Sequence, residues 1–334
     1  GQLVGAFRDR ALEMLAQRLP RPSNADLRED LEAALVACAA EGLVGVHDMA
    51  TSADAWGSLV ALDEEGALAL RVYAYIDGAA TELDSLLETI PTRSARLRLA
   101  GVKLFVDGAM GSRGAALEEA YSDAPETCGA LVWERDELYR RVAQITRVGL
   151  PVALHVIGDR AVRQALDALE TVATTPVRGP HRLEHVQLLS EQDLRRARRL
   201  GVVASMQPVH WRDDQRWLIS RLGAARALRA YPWRALREAD VPLAFGSDAP
   251  VATLSPWTGV AAATGRQGAR LTVREALAAY TCGAARACGE SDEGALQLGA
   301  RADMTLVDRD PFTLDSTSLA GVRVLGRLLA GVRA

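Results

Sequence analysis

Gly101-Val102-Lys103-Leu104-Phe105-Val106-Asp107-Gly108 is the stretch on which the reading of this chain turns. Apolar residues alternate across Val102–Val106 around one lysine, and Asp-Gly closes the run, the pattern of a buried strand entering a turn. Lys103 is the only lysine among the 39 basic residues; every other one is arginine. A guanidinium stays protonated and cannot act as a nitrogen nucleophile, whereas a buried ammonium can lose its proton. The neutral amine can then form a Schiff base with a carbonyl, or take up carbon dioxide as a carbamate. The plainer reading is a stem packed on the strand with its head reaching water. What else lies at matching strand ends decides between them.

Working outward, strands and helices alternate along most of the chain. Residues 5–18 and 26–41 carry apolar residues at helical spacing, with Asn24 or Asp26 as cap of the second helix and Gly42 as its stop. Strands are expected over Leu43–Val46, Leu68–Ile76, the Lys103 stretch, Val152–Val156, Arg182–Leu188, Val202–Met206 and Pro242–Gly246. Between them fall helices at about 53–64 and 80–90, over Asp136–Val148, from Gly158-Asp159 onward, after the Ser190-Glu191-Gln192-Asp193 capping sequence, and through about 239. A long helix is expected over Thr272–Ala287. This rhythm means a parallel sheet with crossover helices. Seven strands preceded by a helix predict an α/β fold: a TIM-type (β/α)8 barrel lacking its first strand. A doubly wound open sheet is the alternative. Against it, no strand runs into Gly-x-Gly-x-x-Gly; Gly108, Gly111 and Gly114 recur at a spacing of three. After about residue 290, Leu296–Val307 and Val322–Val332 alternate like half-exposed strands around the turn-rich 308–318, a small C-terminal β element.

Composition narrows the function classes. The chain has 334 residues, 49% of them hydrophobic, with a formal net charge of −4. Interleaved acids and arginines leave no basic footprint for nucleic acid, and Arg195–Arg199 is read as a solvated helix face. No apolar run approaches the ~18–20 residues of a membrane span. Cys38, Cys128, Cys282 and Cys288 form no C-x-x-C pair, so reduced thiols in a cytoplasmic protein are expected. A small-molecule substrate and a possible homo-oligomer complete the expected partners. The start, Gly1-Gln2-Leu3, has neither an initiator Met nor a signal-peptide pattern, so it is not expected to be the native start.

In a parallel barrel, chemistry sits at the carboxyl ends of the strands. Those ends collect Lys103 and Asp107, His155, His185 and Asp248. Two imidazoles, a carboxylate and one modifiable amine from four strands suit a metal site. His181-Arg182-Leu183-Glu184-His185 matches H-x-x-E-H, but that motif works on a helix. In a strand its two histidines stand ~13 Å apart and cannot share a metal. Asp159 is read as a helix N-cap. The 107–135 connection far exceeds the usual 2–6 residues of a βα loop and is read as a lid or pocket wall, with Arg113 reaching inward. Gln207-Pro208-Val209-His210 lines the same pocket, and His47 has a weaker claim on the rim.

Five stretches then carry a resemblance: residues 101–114, 152–161, 182–187 (Arg-Leu-Glu-His-Val-Gln), 244–250 (Ala-Phe-Gly-Ser-Asp-Ala-Pro) and 299–308. From about residue 30 to the end, the chain resembles the amidohydrolase superfamily in its family 3 branch, which includes N-substituted formamide deformylases. The resemblance implies a carbamylated Lys103 bridging two divalent metals, expected to be zinc, with His155 and His185 as further ligands and Asp248 as the last. It implies hydrolysis of an amide- or formamide-like C–N bond by a metal-activated hydroxide, with Asp248 as general base passing the proton to the departing amine. Asp107, Arg113 and His210 are expected to contact substrate. The family's first strand carries His-x-His, and none of histidines 47, 155, 181, 185 and 210 forms that pair. The implied organisation is residues 1–290 as barrel strands two to eight and 291–334 as part of a composite β-sandwich, with an N-terminal segment lacking. A Schiff-base lyase or aldolase using Lys103, and a metal-free non-catalytic fragment, are the competing expectations.

Overall fold

The computed structural model describes residues 14, 15, 18–20, 22–80, 83 and 94–334. The helices expected over 5–18 and near 80–90 fall largely outside the described residues. Seven strands form one parallel sheet in sequence order: β1 (Gly45–Thr51), β2 (Arg71–Asp77), β3 (Leu97–Phe105), β4 (Val152–Val156), β5 (Arg182–His185), β6 (Val203–Met206) and β7 (Leu243–Phe245). Alternation sorts each strand's side chains. On β3 and just after it, Val102, Leu104 and Val106 are buried in the main core, while Lys103 and Phe105 share the other face, with Nζ 5.1 Å from the Phe105 ring. The register sets Phe105 beside His155 and His155 beside Glu184, so these side chains enter one interior at neighbouring heights.

The sheet is curled. In a flat sheet β1 and β5 would lie roughly 19 Å apart. Instead His47 on β1 and Arg182 on β5 meet, Nδ1 to Nη1, at 2.8 Å. Helices cover the outside: Ala53–Glu64, Arg135–Arg147, Asp159–Thr171, Glu191–Leu200 and Pro208–Arg229 follow strands β1, β3, β4, β5 and β6. Ser190 caps its helix as expected, accepting from the Asp193 N–H at 3.1 Å. Two caps sit one residue or more from their expected places. Ser23, not Asn24 or Asp26, is the first N-cap, because Ser23 and Asp26 satisfy each other's backbone N–H groups. Gly158 is the cap before Asp159, whose carboxylate instead accepts from the Glu118 N–H at 2.9 Å.

The long helix expected over Thr272–Ala287 contains a π turn at Ala279–Gly283, between α-helical Val273–Ala278 and Ala284–Ala287. A Cβ at Gly283 would stand 2.2 Å from the Leu243 carbonyl, so glycine is what lets this turn lie against β7. The chain then crosses the amino ends of the strands, where Arg71 binds Asp303 at 2.7 Å and Arg98 pairs with Glu290. Strands β8 (Met304–Val307), β9 (Val324–Leu329) and β10 (Val332–Arg333) make a separate antiparallel sheet in the order β10-β9-β8. Among the described residues no helix is long and apolar enough to cross a membrane.

Candidate metal centre

The carboxyl ends of the strands form a mouth lined by the residues that the sequence singles out. Lys103 is 3% exposed, and no described carboxylate lies within ion-pair distance of its Nζ. Burial pushes its pKa down to about 8, with Glu184 and Asp248 opposing the shift and Arg182 adding to it. His155 rises from β4 with its ring 5.2 Å from Phe105 and 4.5 Å from His185. Burial, then the neighbouring His185 and Lys103, hold its pKa well below the ordinary imidazole value. Its Nε2 is buried without a hydrogen-bond partner.

His185 ends β5 with φ at 75°, and Val186 follows at 44°. A left-handed pair that includes a β-branched residue is strained backbone. Here it ends the alternation and turns the His185 ring back into the mouth. Gln207, just after β6, takes His185 Nδ1 on its Oε1 at 2.7 Å. With that oxygen as acceptor, Nδ1 carries the proton and Nε2 keeps its lone pair. His210 is the third residue of helix Pro208–Arg229, its ring nearly parallel to His185 at 14° and 6.0 Å. Asp248, also left-handed at φ 60°, brings Oδ2 to 3.7 Å from His210 Nε2, which is likewise buried and unpartnered. Burial pushes the Asp248 carboxyl up to about 6, against the pull of Lys103. Single ligand atoms of His185, His210 and Asp248 all lie within 4.8 Å of one another.

These donors fit a divalent cation. Two orphaned imidazole nitrogens in a buried mouth each cost about 1–3 kcal/mol unless something accepts their lone pairs, and a cation does so. Strong depression of the His155 and His185 pKa keeps those imidazoles neutral, the form that ligates. A second acidic group, Glu290, Asp292 and Glu293, is different: Arg71, Arg98, Arg301 and Tyr73 engage it.

The three expected substrate contacts have the following surroundings. Asp107 is 2% exposed, and its carboxylate accepts from the backbone N–H groups of Ala116, Ile157 and Gly158 at 2.8–2.9 Å. It ties the loop after β3 to the loop after β4, where a Cβ on Gly158 would stand 1.9 Å from the Ala116 carbonyl. Arg113 spends its guanidinium on Asp123 at 3.0 and 3.1 Å, and Asp123 also pairs with Arg221. His210 stands beside Asp248 among the metal-capable groups. The 107–135 connection is a packed wall, with Ala115, Ala116, Leu117 and Tyr121 buried and Arg226 reaching from helix Pro208–Arg229 to the Ala120 carbonyl at 2.7 Å.

His47 is inside the curled sheet rather than on its rim, because β1 extends to Thr51. It accepts from Arg182, which uses all five N–H groups: toward His47, Tyr75, Ser205 and, through two parallel bonds, Glu184. Arg182 and Glu184 help to form the site although no working motif marks them. Their spacing of two in a strand was the available signal, since it puts both on one face. His181 accepts the Val152 N–H at 3.2 Å at the far end of β5, so H-x-x-E-H is no metal motif here.

The Amidohydrolase family model matches residues 1–333. The chain belongs to the amidohydrolase family. Putative amidohydrolase YtcJ of Bacillus subtilis is 31% identical, over 96% of this chain and 63% of that protein. N-substituted formamide deformylase of Arthrobacter pascens is 29% identical, over 76% of this chain and 48% of that protein. A crystal structure of an uncharacterized metal-dependent hydrolase from Pyrococcus horikoshii superposes with a TM-score of 0.83 at 34% identity, covering 92% of this chain and 64% of that one. This amidohydrolase chain thus spans about half to two thirds of the length of the relatives it matches.

Proposed function

We propose that this chain forms the barrel part of a divalent-metal-dependent hydrolase that cleaves an amide- or formamide-like C–N bond in a small molecule. The observation that carries the reading is the mouth itself: neutral histidines with unpartnered buried Nε2 atoms beside a carboxylate and an unpaired buried amine. Family membership and the names of its relatives support the reaction class. The His47–Arg182 contact across the interior supports a barrel-type ring. Imidazole and carboxylate donors suit zinc among the divalent ions.

His155, His185, Asp248 and a carbamylated Lys103 hold the metal in this reading. The carbamate forms when the Nζ lone pair bonds to the carbon of carbon dioxide and a proton leaves to water. Burial without an ion pair favours that step, because it leaves the amine neutral for part of the time. A bound divalent cation supplies Lewis acidity, lowering the pKa of water and polarising a carbonyl. Asp248 accepts the attacking water's proton on a carboxylate oxygen and gives it to the departing nitrogen. Its 36% side-chain exposure lets it reach a molecule entering the mouth. Gln207 keeps His185 in its ligating tautomer.

A panel of N-formyl and N-acyl amines tests the proposal. Hydrolysis is expected to vanish on chelation, to return with added divalent metal, and to be lost in Lys103→Arg, which keeps the charge but cannot form the carbamate. Near-normal turnover by Lys103→Arg removes the carbamate role. Chelator-insensitive activity with borohydride trapping of substrate on Lys103 replaces the reading with a Schiff-base lyase.

A further inference from the structure

Two orphaned imidazole nitrogens flank His185, and only one of them belongs to the ligand set expected from the sequence. His155 Nε2 has Asp107 Oδ1 at 3.7 Å, and that carboxylate is already occupied by three backbone N–H groups. His210 Nε2 faces Asp248 Oδ2, also at 3.7 Å. That separation is too long for a hydrogen bond. It is close to what two ligands of one ion require: bonds of ~2.1 Å meeting at a tetrahedral angle put their donor atoms about 3.4 Å apart. Near-parallel packing of the His210 and His185 rings lets both edges meet the same point.

Local structure supplies the reason for this placement. Gln207 is the N-cap residue of helix Pro208–Arg229, and Pro208 fixes the first helical turn. That single turn therefore presents both the oxygen that orients His185 and, three residues on, the His210 ring. Asp248 arrives independently, from the left-handed residue after β7.

We infer that His210 is a metal ligand, completing a site with His185 and Asp248, rather than a contact for substrate. The inference rests on the metal-dependent reading above and extends it to a residue outside the expected set. It makes helix Pro208–Arg229 part of the metal centre, with Gln207 as a positioning residue for the adjacent ligand.

Cobalt(II) titration of the metal-stripped chain tests it, read by calorimetry and by visible absorption. His210→Phe keeps a ring against His185 and removes both nitrogens. His210→Cys substitutes a ligating thiolate, which announces itself by an intense near-ultraviolet charge-transfer band when cobalt binds. Removing an outer partner such as Gln207 weakens metal binding roughly 10–100-fold. His210→Phe is expected to weaken it more than Gln207→Ala does and to alter the visible bands, while His210→Cys gains the thiolate band. Unfolding curves of the metal-free variants that match wild type exclude a folding defect as the cause. Wild-type cobalt affinity and spectrum in His210→Phe overturn the inference, as does cobalt bound to His210→Cys without the thiolate band. A wild-type chain that binds no cobalt overturns the metal-dependent reading itself, which separates the two failures.

Discussion

The concave side of the curled sheet has two polar levels, and they are built on opposite terms. At the lower level Arg182 has all five donors engaged, Glu184 has both oxygens engaged, and the Tyr75 hydroxyl donates to the Ala287 carbonyl at 3.1 Å. At the upper level His155 and His210 have orphaned nitrogens, and His185 and Asp248 are held in left-handed backbone. A buried polar group is tolerable when paired and costly when not. The lower level is a brace that ties β1, β2, β5 and β6 together and is complete within the chain. The upper level carries its cost in expectation of a ligand.

The largest effect should come from breaking the brace. Arg182→Met leaves Glu184 as a buried, uncompensated charge, which costs about 3–5 kcal/mol. Adding Glu184→Leu removes the stranded charge, so the double variant should regain much of that loss. Urea unfolding of chelator-treated protein measures both. Equal stability of the single and double variants would show that the pair is not coupled.

Metal should act on the other level alone. A ligand that binds only the folded chain stabilises it by about 2.7 kcal/mol at a hundred times its dissociation constant. Thermal unfolding with and without excess zinc should show that gain in wild type and in Arg182→Met. Asp248→Asn with His185→Gln should lose it. A metal-dependent gain that survives this double change places the cation elsewhere.

Between the levels in effect lies Asp107→Asn. An amide cannot accept on both sides, so one or more of the N–H groups of Ala116, Ile157 and Gly158 loses its acceptor. Burial pushes the Asp107 carboxyl up to about 7 against these three bonds, so the comparison is made above that pH, where hydrogen bonds to the charged group are worth about 1.5–3 kcal/mol. Stability should fall by about 2 kcal/mol. Selective loss of substrate affinity at unchanged stability would instead support the substrate-binding role expected of Asp107.

How much of this was legible varies with the distance over which chain must be folded. Lys103, His155, His185 and Asp248 were readable because each stands at the carboxyl end of its own strand, and strand ends follow from local patterning. Ser190 and its helix were readable for the same reason. Asp107 reads as a pocket residue until the loop after β3 wraps back and presents the Ala116 N–H. Arg113 reads as a free cation until that loop places Asp123 beside it. His210 becomes a neighbour of Asp248 only once β7 pairs beside β6, which brings the segments after the two strands together. The Arg182–Glu184 brace was written in a period of two, yet its partners His47 and Tyr75 lie over a hundred residues away. Local pattern gives element and face; contact across the interior needs the sheet to curl.

The smallest effect tests the orphaned state most directly. His155→Leu, in chain stripped of metal, removes an imidazole whose Nε2 has no partner. Relief of an unsatisfied buried polar atom is worth about 1–3 kcal/mol. The ring contacts with Phe105 and His185 that disappear are worth about 0.5–1.5 kcal/mol. The hydrogen bond between the His155 ring and the Gly108 backbone also goes, worth about 0.5–1.5 kcal/mol, so gain and loss nearly cancel and the metal-free variant should be about level with wild type, although a core substitution ordinarily destabilises. With zinc present wild type should be the more stable, because it gains the binding energy and the variant gains less. Tyr75→Phe is the matching change on the lower level: it strands the Arg182 donor and the Ala287 carbonyl, and it should destabilise with or without metal. A His155→Leu chain clearly less stable than wild type under chelation would mean that its nitrogen is satisfied within the fold, and the contrast between the two levels would then lose one of its two orphaned nitrogens.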